Sequence, residues 1–139
     1  MSSLINIHSV IPSSRVNGPG SRMVIFFQGC NQDCHGCFNP DTHSFDKINL
    51  YTPEDIFKKH LRKGIEGITV SGGEPFLQAK GLYLLLKTAR CAYNLTTVVY
   101  TGFDYNNLKK DSDCKSCFEF IDVLIDGRYE ESKKETTLL

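Results

Sequence analysis

Apolar residues recur along this chain in two periods, which predict strands that alternate with helices. Short apolar runs such as Met23–Gln28 are typical of strands that are buried on both faces. We predict five strands, at Leu4–Val10, Met23–Gln28, Ile65–Ser71, Thr96–Thr101 and Ile121–Ile125. Turn-forming residues at Pro12-Ser13-Ser14 and Asn17-Gly18-Pro19-Gly20 predict a loop after the first strand.

Helical spacing predicts three helices between these strands, at Pro53–Lys63, Ala79–Tyr93 and Asp104–Lys110. Thr52 is placed to cap the first helix, because Asp55 follows three residues later and completes a capping box. Gly64 is expected to end that helix. The apolar stripe of the second helix consists of Leu82, Leu85, Leu86 and Ala89.

Strands that alternate with helices predict a parallel sheet and an α/β fold. A complete eight-stranded barrel typically takes about 250 residues, whereas this chain has 139. We therefore expect a single domain over residues 1–139. Its predicted architecture is an open, incomplete (β/α) barrel-like parallel sheet of about five or six strands, with helices on the outer face.

Functional loops in such sheets follow the carboxyl ends of the strands. Four segments follow predicted strands in this way: the segment after Gln28, Gly72–Pro75, Thr101-Gly102 and Asp126-Gly127. We expect all four segments to meet at one edge of the sheet.

Composition and charge remove several classes of function. Lys plus Arg and Asp plus Glu are each 16, so the formal net charge is zero. A neutral chain without a basic cluster predicts neither nucleic-acid binding nor a polybasic membrane anchor. No apolar run has the length of a membrane span, and the first ten residues lack a secretory signal. We therefore expect a cytoplasmic protein.

Cysteine spacing is the strongest chemical signal. Cys30, Cys34 and Cys37 form a C-x3-C-x2-C pattern within eight residues. In a reducing compartment, cysteines this close are more typical of metal ligands than of disulfides. Three ligands leave a metal position open for a substrate, whereas structural sites use four. A zinc site completed by His35 or His43 stays open as an alternative.

Three further cysteines and one arginine have simpler interpretations. Cys114 and Cys117 form a C-x2-C pair without two obvious further ligands, so we predict exposed spare thiols or weak adventitious metal binding. Cys91 falls in the second helix and is expected in the core. Arg22 is expected to be a surface cation.

The cysteine pattern resembles the cluster-binding motif of the radical S-adenosylmethionine superfamily. The surrounding motifs resemble the small activating proteins of anaerobic (class III) ribonucleotide reductases over residues 4 to 130. The motifs that carry this resemblance are Asn17–Arg22, Gly36–Pro40, Val70–Pro75, Tyr100–Gly102 and Ile121–Gly127.

The resemblance implies a 4Fe–4S cluster held by Cys30, Cys34 and Cys37, whose open iron binds S-adenosylmethionine. It implies cofactor contacts from the loop after the third predicted strand, from the end of the next strand and from residues beside the third cysteine. These predicted cofactor-binding residues are Gly72, Gly73, Glu74, Phe38, Asn39 and Thr101. Glycines permit close backbone approach, and the Glu74 carboxylate suits a ligand ammonium. Gly102 and Asp126 are weaker candidates at the same edge, and the resemblance places Arg22 near the cysteine loop.

The implied reaction cleaves S-adenosylmethionine to methionine and a 5′-deoxyadenosyl radical, which takes a hydrogen atom from a glycine of the reductase. The implied partners are anaerobic ribonucleotide reductase and a low-potential electron donor such as flavodoxin or ferredoxin. Related proteins continue to a Gly-Ser-Ser-Asn-Gln-like motif that this chain lacks, so we expect a truncated chain or a shortened relative. Two alternatives are another small radical enzyme acting on a peptide or metabolite and a non-catalytic zinc or iron–sulfur module.

Overall fold

Six strands form one mixed sheet. The computed structural model describes residues 4–15, 20–28 and 50–126. The strands are β1 (Ile5–Ser14), β2 (Arg22–Phe27), β3 (Leu50–Tyr51), β4 (Gly67–Gly72), β5 (Thr96–Tyr100) and β6 (Val123–Ile125). Their order across the sheet is β3-β1-β2-β4-β5-β6.

The prediction of an all-parallel sheet is wrong for β1. The pairs β2–β4, β4–β5 and β5–β6 are parallel, but β1 is antiparallel to both β2 and β3. The reason lies in connection length, because parallel neighbours need a crossover of about a dozen residues or more. Only residues 15–21 connect β1 to β2, so these two strands form an antiparallel pair.

The first strand is also longer than predicted. Pro12, Ser13 and Ser14 belong to β1, although their residue types favour a loop. The pairing with β2 is irregular between Ile11 and Ser14, and β3 pairs only with Ile5 and Asn6. Proline is tolerated at such irregular edge positions because its missing N–H breaks no regular ladder bond.

The helices are α1 (Pro53–His60), α2 (Ala79–Tyr93), α3 (Tyr105–Leu108) and α4 (Ser112–Cys117), with 3₁₀ turns at Pro75–Gln78 and Phe118–Phe120. The capping box of Thr52 and Asp55 is present, and α2 has the predicted bounds. The first helix ends at His60 rather than Lys63, while Gly64 lies in the following turn at φ +89°. The sequence pattern did not predict α4 or β3.

One face of the sheet packs against α2. The core combines alternating strand residues with the apolar stripe of that helix. These core residues include Met23, Ile25, Ile68, Val70, Leu82, Leu85, Leu86 and Ala89. Consecutive residues of β2 are buried, which confirms the interpretation of this strand as buried on both faces, and β4 is buried in the same way. No described helix has the length and apolar character needed to cross a membrane.

Candidate functional site

The strands β2, β4, β5 and β6 run parallel, so their carboxyl ends lie along one edge of the sheet, here called the carboxyl edge. The loop after β4 contacts the residues after β5 through the Glu74 side chain. The residue after β5, Thr101, donates its backbone N–H to the carbonyl of Ile125 in β6 at 2.9 Å. The predicted meeting of the loops is therefore confirmed for these three strand ends.

Gly72 brings the end of β4 into close contact with the end of β2. Its φ is +104°, and an added Cβ would lie 2.5 Å from the backbone nitrogen and oxygen of Phe27. The next residue, Gly73, donates its N–H to the Phe27 carbonyl at 2.9 Å. Glycine is thus required at position 72 for two reasons. Only glycine adopts this φ readily, and a side chain there would collide with the backbone of Phe27.

Glu74 is a buried carboxylate at the centre of the carboxyl edge, with 1% of its surface exposed. Its Oε2 accepts from the Thr101 hydroxyl at 2.7 Å and from the Phe76 backbone N–H at 3.0 Å. Its Oε1 accepts from the Gly102 backbone N–H at 2.7 Å. The carboxylate therefore joins the loop after β4 to the loop after β5.

Burial raises the pKa of Glu74 above its ordinary value, because a desolvated carboxylate disfavours its charged form. The hydrogen bonds from Thr101, Gly102 and Phe76 favour the charged form and offset part of that shift. The predicted contact of this carboxylate with a ligand ammonium stays a prediction. What the structure adds is a second role, since the same oxygens organise the neighbouring loop.

Thr101 and Asp126 each order the backbone beside them. The Thr101 hydroxyl donates to Glu74 and accepts from the Phe103 N–H at 3.1 Å. Asp126 accepts from the Tyr105 N–H at 2.8 Å, at the start of α3. Both residues lie at the predicted edge, and their contact with a cofactor stays a prediction.

The predicted cluster ligands Cys30, Cys34 and Cys37 lie outside the described residues, as do Phe38 and Asn39. Their roles stay predictions. The structure places their attachment point, because Gln28 directly follows β2 at the carboxyl edge. Within residues 4–15, 20–28 and 50–126, no group of three His, Cys, Asp or Glu residues is arranged to hold a metal ion.

The predicted exposure of the remaining cysteines is wrong for both the pair and the single residue. Cys114 and Cys117 are buried, and their thiols donate weakly to the carbonyls of Phe76 and Ala79. Burial raises the pKa of Cys114 to about 11 and that of Cys117 to about 12, which favours the protonated thiol over the nucleophilic thiolate. Cys91, which was expected in the core, is exposed on α2.

Arg22 is a buried residue with 1% exposure, not a surface cation. It begins β2, so it lies at the edge opposite to the carboxyl edge, about 17 Å along the strand from Phe27. Its guanidinium donates to side-chain and carbonyl oxygens on two strands. The acceptors are Thr69 Oγ1, Ile68 O, Thr96 Oγ1 and Thr96 O, at 2.6–3.0 Å. The cysteine loop itself lies outside the described residues, so the expectation that Arg22 lies near it stays a prediction.

One side chain at the carboxyl edge was not singled out by its sequence. Gln78 ends the 3₁₀ turn that follows Glu74, and its amide bonds to the backbone of β1 and to Gln28. The only available signal was a polar residue between a proline turn and an apolar helix.

The family model described as a 4Fe-4S single cluster domain matches residues 16–139. That range includes the cysteine pattern, the glycine loop and all of the parallel strands. The chain belongs to this 4Fe–4S single cluster domain family.

Two relatives over nearly the full length are anaerobic ribonucleoside-triphosphate reductase-activating proteins. The one from Pasteurella multocida is 30% identical over 97% of this chain and 90% of the relative. The one from Enterobacteria phage T4 is 29% identical over 92% of this chain and 83% of the relative. The pyruvate formate-lyase-activating enzyme of Clostridium pasteurianum is 37% identical, over 75% of this chain and 46% of that enzyme. Within its family, the chain therefore groups with the radical S-adenosylmethionine activating proteins.

A solved structure also resembles the fold. The crystal structure of QueE from Escherichia coli superposes with a TM-score of 0.53 and 16% sequence identity. The match covers 71% of this chain but 52% of that chain, so this chain spans about half of QueE. The likeness concerns the fold alone, and it confirms the expected open, incomplete barrel-like α/β class.

Family membership confirms a 4Fe–4S cluster and S-adenosylmethionine as the cofactors. The sequence and the described residues together fit both groups. The cysteine segment follows the carboxyl end of β2, and thiolates are the usual ligands of such clusters. Gly72 and Gly73 leave the adjoining strand end free of side chains, and Glu74 and Thr101 provide polar oxygens there.

Proposed function

We propose that this chain is an oxidoreductase of the glycyl-radical-enzyme activating class, and that it installs a glycyl radical on anaerobic ribonucleotide reductase. The observation that carries the proposal is the near-complete alignment with reductase-activating proteins. These relatives align over 92–97% of this chain, so the similarity extends well beyond a shared cluster motif.

Three cysteine thiolates and the loop after β4 are the proposed cofactor contacts. Cys30, Cys34 and Cys37 hold the cluster, and Gly72, Gly73 and Glu74 line the methionine end of S-adenosylmethionine. When bound, these cofactors supply a one-electron cleavage to methionine and a 5′-deoxyadenosyl radical, which takes a hydrogen atom from a reductase glycine. Phe38, Asn39 and Thr101 complete the proposed cofactor site.

The protein substrate is also the proposed shield of the site. A carbon radical in an open sheet would react with solvent components, and closing a site excludes such side reactions. A reductase that docks over the carboxyl edge provides this closure, whereas a small metabolite does not. The proposed electron donor is a flavodoxin or ferredoxin, and the proposed location is the cytoplasm.

The proposal is tested by anaerobic reconstitution with iron and sulfide, followed by reduction in the presence of S-adenosylmethionine. We expect a brown protein that forms 5′-deoxyadenosine and couples this reaction to a glycyl radical signal on the added reductase. A colourless protein that binds stoichiometric zinc contradicts the proposal. Fast, tightly coupled turnover with a small metabolite alone contradicts the protein substrate.

The cysteine assignment has an internal control in the same chain. Cys30→Ala, Cys34→Ala and Cys37→Ala should each abolish cluster uptake, because these three thiolates are the only protein ligands that the proposal assigns to the cluster. Cys114→Ala should keep the cluster, because that thiol is buried and packs against Phe76. Iron and sulfide content of the reconstituted variants measures both expectations, and loss of the cluster in Cys114→Ala contradicts the assignment.

A second candidate target is a pyruvate formate-lyase. The 37% identity to the Clostridium pasteurianum activating enzyme favours it, but this chain covers only 46% of that enzyme. Incubating the reduced protein with each candidate separately distinguishes the two targets. If a glycyl radical forms only on the lyase, the lyase replaces the reductase as the proposed target.

A further inference from the structure

The side-chain amide of Gln78 joins the ends of β1 and β2. Its Oε1 accepts from the Asn6 N–H at 2.8 Å, and its Nε2 donates to the Asn6 carbonyl at 3.0 Å. The same Nε2 donates to the Gln28 carbonyl at 3.2 Å. Both donor hydrogens of the amide therefore have backbone acceptors on different strand ends.

This amide bonds to the point where β2 leaves the sheet. The backbone N–H of Gln28 donates to the Asn6 carbonyl at 3.0 Å, so Asn6 and Gln28 face each other one position beyond the last pair of the β1–β2 ladder. The Gln78 amide accepts from Asn6 and donates to Gln28, as an inserted peptide unit would. Cys30 follows Gln28 by two residues.

The turn that carries Gln78 is attached at its other end to β5. Pro75–Gln78 is one 3₁₀ turn, and Glu74, which precedes it, accepts from Thr101 and Gly102. A four-residue turn has little freedom to stretch. Its two ends therefore hold the end of β2 and the loop after β5 at a fixed separation.

The side chain of Gln78 does not cap the helix that it precedes. It occupies the N-cap position of α2, where a side chain normally accepts from the first helical N–H groups, yet it makes no such capping bond. Its hydrogen bonds go instead to Asn6 and Gln28, which precede it by 72 and 50 residues. This distribution shows that the side chain positions strand ends rather than the helix.

We propose that Gln78 is a positioning residue, which sets Gln28, where the chain leaves β2, relative to the loop Gly72–Glu74. The inference rests on the proposed function, because Cys30, a proposed cluster ligand, follows Gln28 by two residues in the sequence and the loop is the proposed S-adenosylmethionine site. Gln78 itself need not touch either cofactor.

The first test uses the protein without its cluster. Gln78→Met keeps a similar volume but removes all three hydrogen bonds, so amide hydrogen exchange at Asn6 should accelerate about tenfold. The matched control is Thr88→Val, which removes a 2.7 Å hydrogen bond to Leu84 within α2. That variant should leave the exchange of Asn6 unchanged.

The second test uses the reconstituted protein. Gln78→Met should take up iron and sulfide as the wild type does, because the cysteines are intact. Its dissociation constant for S-adenosylmethionine should rise about tenfold, because the variant loses the hydrogen bonds from Gln78 to Asn6 and Gln28 that hold the end of β2. The electron paramagnetic resonance response of the reduced cluster to S-adenosylmethionine should shift to correspondingly higher concentration. Thr88→Val should bind S-adenosylmethionine as the wild type does.

The outcomes separate the two proposals. If the wild type binds S-adenosylmethionine and Gln78→Met binds it equally well, the positioning role is wrong and the proposed function stands. If Thr88→Val weakens binding as much as Gln78→Met, general destabilisation explains the effect and the positioning role is again wrong. If the wild type takes up no cluster, the proposed function fails, and the inference fails with it.

Discussion

The four parallel strands bury oppositely charged side chains at their two edges, with Arg22 at the edge opposite to the carboxyl edge, here called the amino edge, and Glu74 at the carboxyl edge. At the amino edge, Arg22 donates to carbonyl and threonine oxygens. At the carboxyl edge, Glu74 accepts from backbone N–H groups and a threonine hydroxyl. Buried charges are tolerated when their hydrogen-bonding groups are satisfied. Only the carboxyl edge adjoins the proposed cofactor site. We therefore expect both sets of buried hydrogen bonds to support stability, but only the set around Glu74 to affect cofactor binding.

The largest effect is expected at the amino edge. Arg22→Met would leave the oxygens of Ile68, Thr69 and Thr96 without their donor, so we expect the free energy of unfolding to fall by about 3 kcal/mol. Urea denaturation measures this loss. S-adenosylmethionine binding by the folded fraction should match the wild type, and weakened binding would contradict the separation of the two edges.

A smaller loss of stability is expected at the carboxyl edge. Glu74→Gln keeps the shape but replaces one of the two accepting oxygens by an NH₂ group, which opposes the backbone N–H of either Phe76 or Gly102, so the free energy of unfolding should fall by about 2 kcal/mol. Unlike Arg22→Met, this variant should also weaken S-adenosylmethionine binding to the folded protein. Isothermal titration of the reconstituted variants measures their affinity for S-adenosylmethionine. Wild-type affinity in Glu74→Gln would contradict the separate role of the carboxyl edge in cofactor binding.

The Glu74 carboxylate also makes the stability of the fold depend on pH. Because burial raises the folded-state pKa of Glu74 above its ordinary 4.5, the folded protein binds the proton more tightly than the unfolded chain does. Glu74 therefore stabilises the fold below pH 4.5, and this contribution is lost as the pH rises through the folded-state pKa. Subtracting the pH–stability curve of Glu74→Gln from that of the wild type should show a fall with increasing pH. A rise over that window would contradict the shift.

The smallest effects come from one threonine at each edge. Thr69→Val and Thr101→Val remove buried hydroxyls that bond to Arg22 and Glu74, so each should cost about 1 kcal/mol of unfolding free energy. The two variants make the same substitution at a buried threonine, although the Thr69 hydroxyl accepts a hydrogen bond from Arg22 and the Thr101 hydroxyl donates one to Glu74. Thermal denaturation should give similar losses, while only Thr101→Val should weaken S-adenosylmethionine binding. Equal binding by both variants would argue against a special role for the carboxyl edge.

Local signals in the sequence predicted the local structure well. The spacing of Leu82, Leu85, Leu86 and Ala89 predicted α2 with its observed bounds, and the Thr52–Asp55 pair predicted its capping box. These patterns depend on residues within a few positions of one another. The order of strands and helices likewise predicted which loops share the carboxyl edge.

Features that depend on distant partners were missed. Arg22 was expected at the surface because a charged side chain is usually exposed. Its burial depends on acceptors that lie 46–74 residues away in the sequence. The burial of Cys114 depends on packing against Phe76, and the direction of β1 depends on a short connection. The Glu74–Thr101 bond spans 27 residues, and no periodicity encodes it. The three cysteine ligands remain a prediction from spacing and resemblance.

The burial of Cys114 and Cys117 makes cluster occupancy countable by mass spectrometry. At pH 8, thiols with a pKa of about 11 and about 12 are almost entirely protonated, and an alkylating reagent reaches them poorly. Exposed Cys91 is modified in every sample and provides a constant internal reference. If Cys30, Cys34 and Cys37 are the cluster ligands, as proposed, further alkylation of the native protein should decrease as the cluster is loaded, and each added mass increment should report one of these thiols without iron.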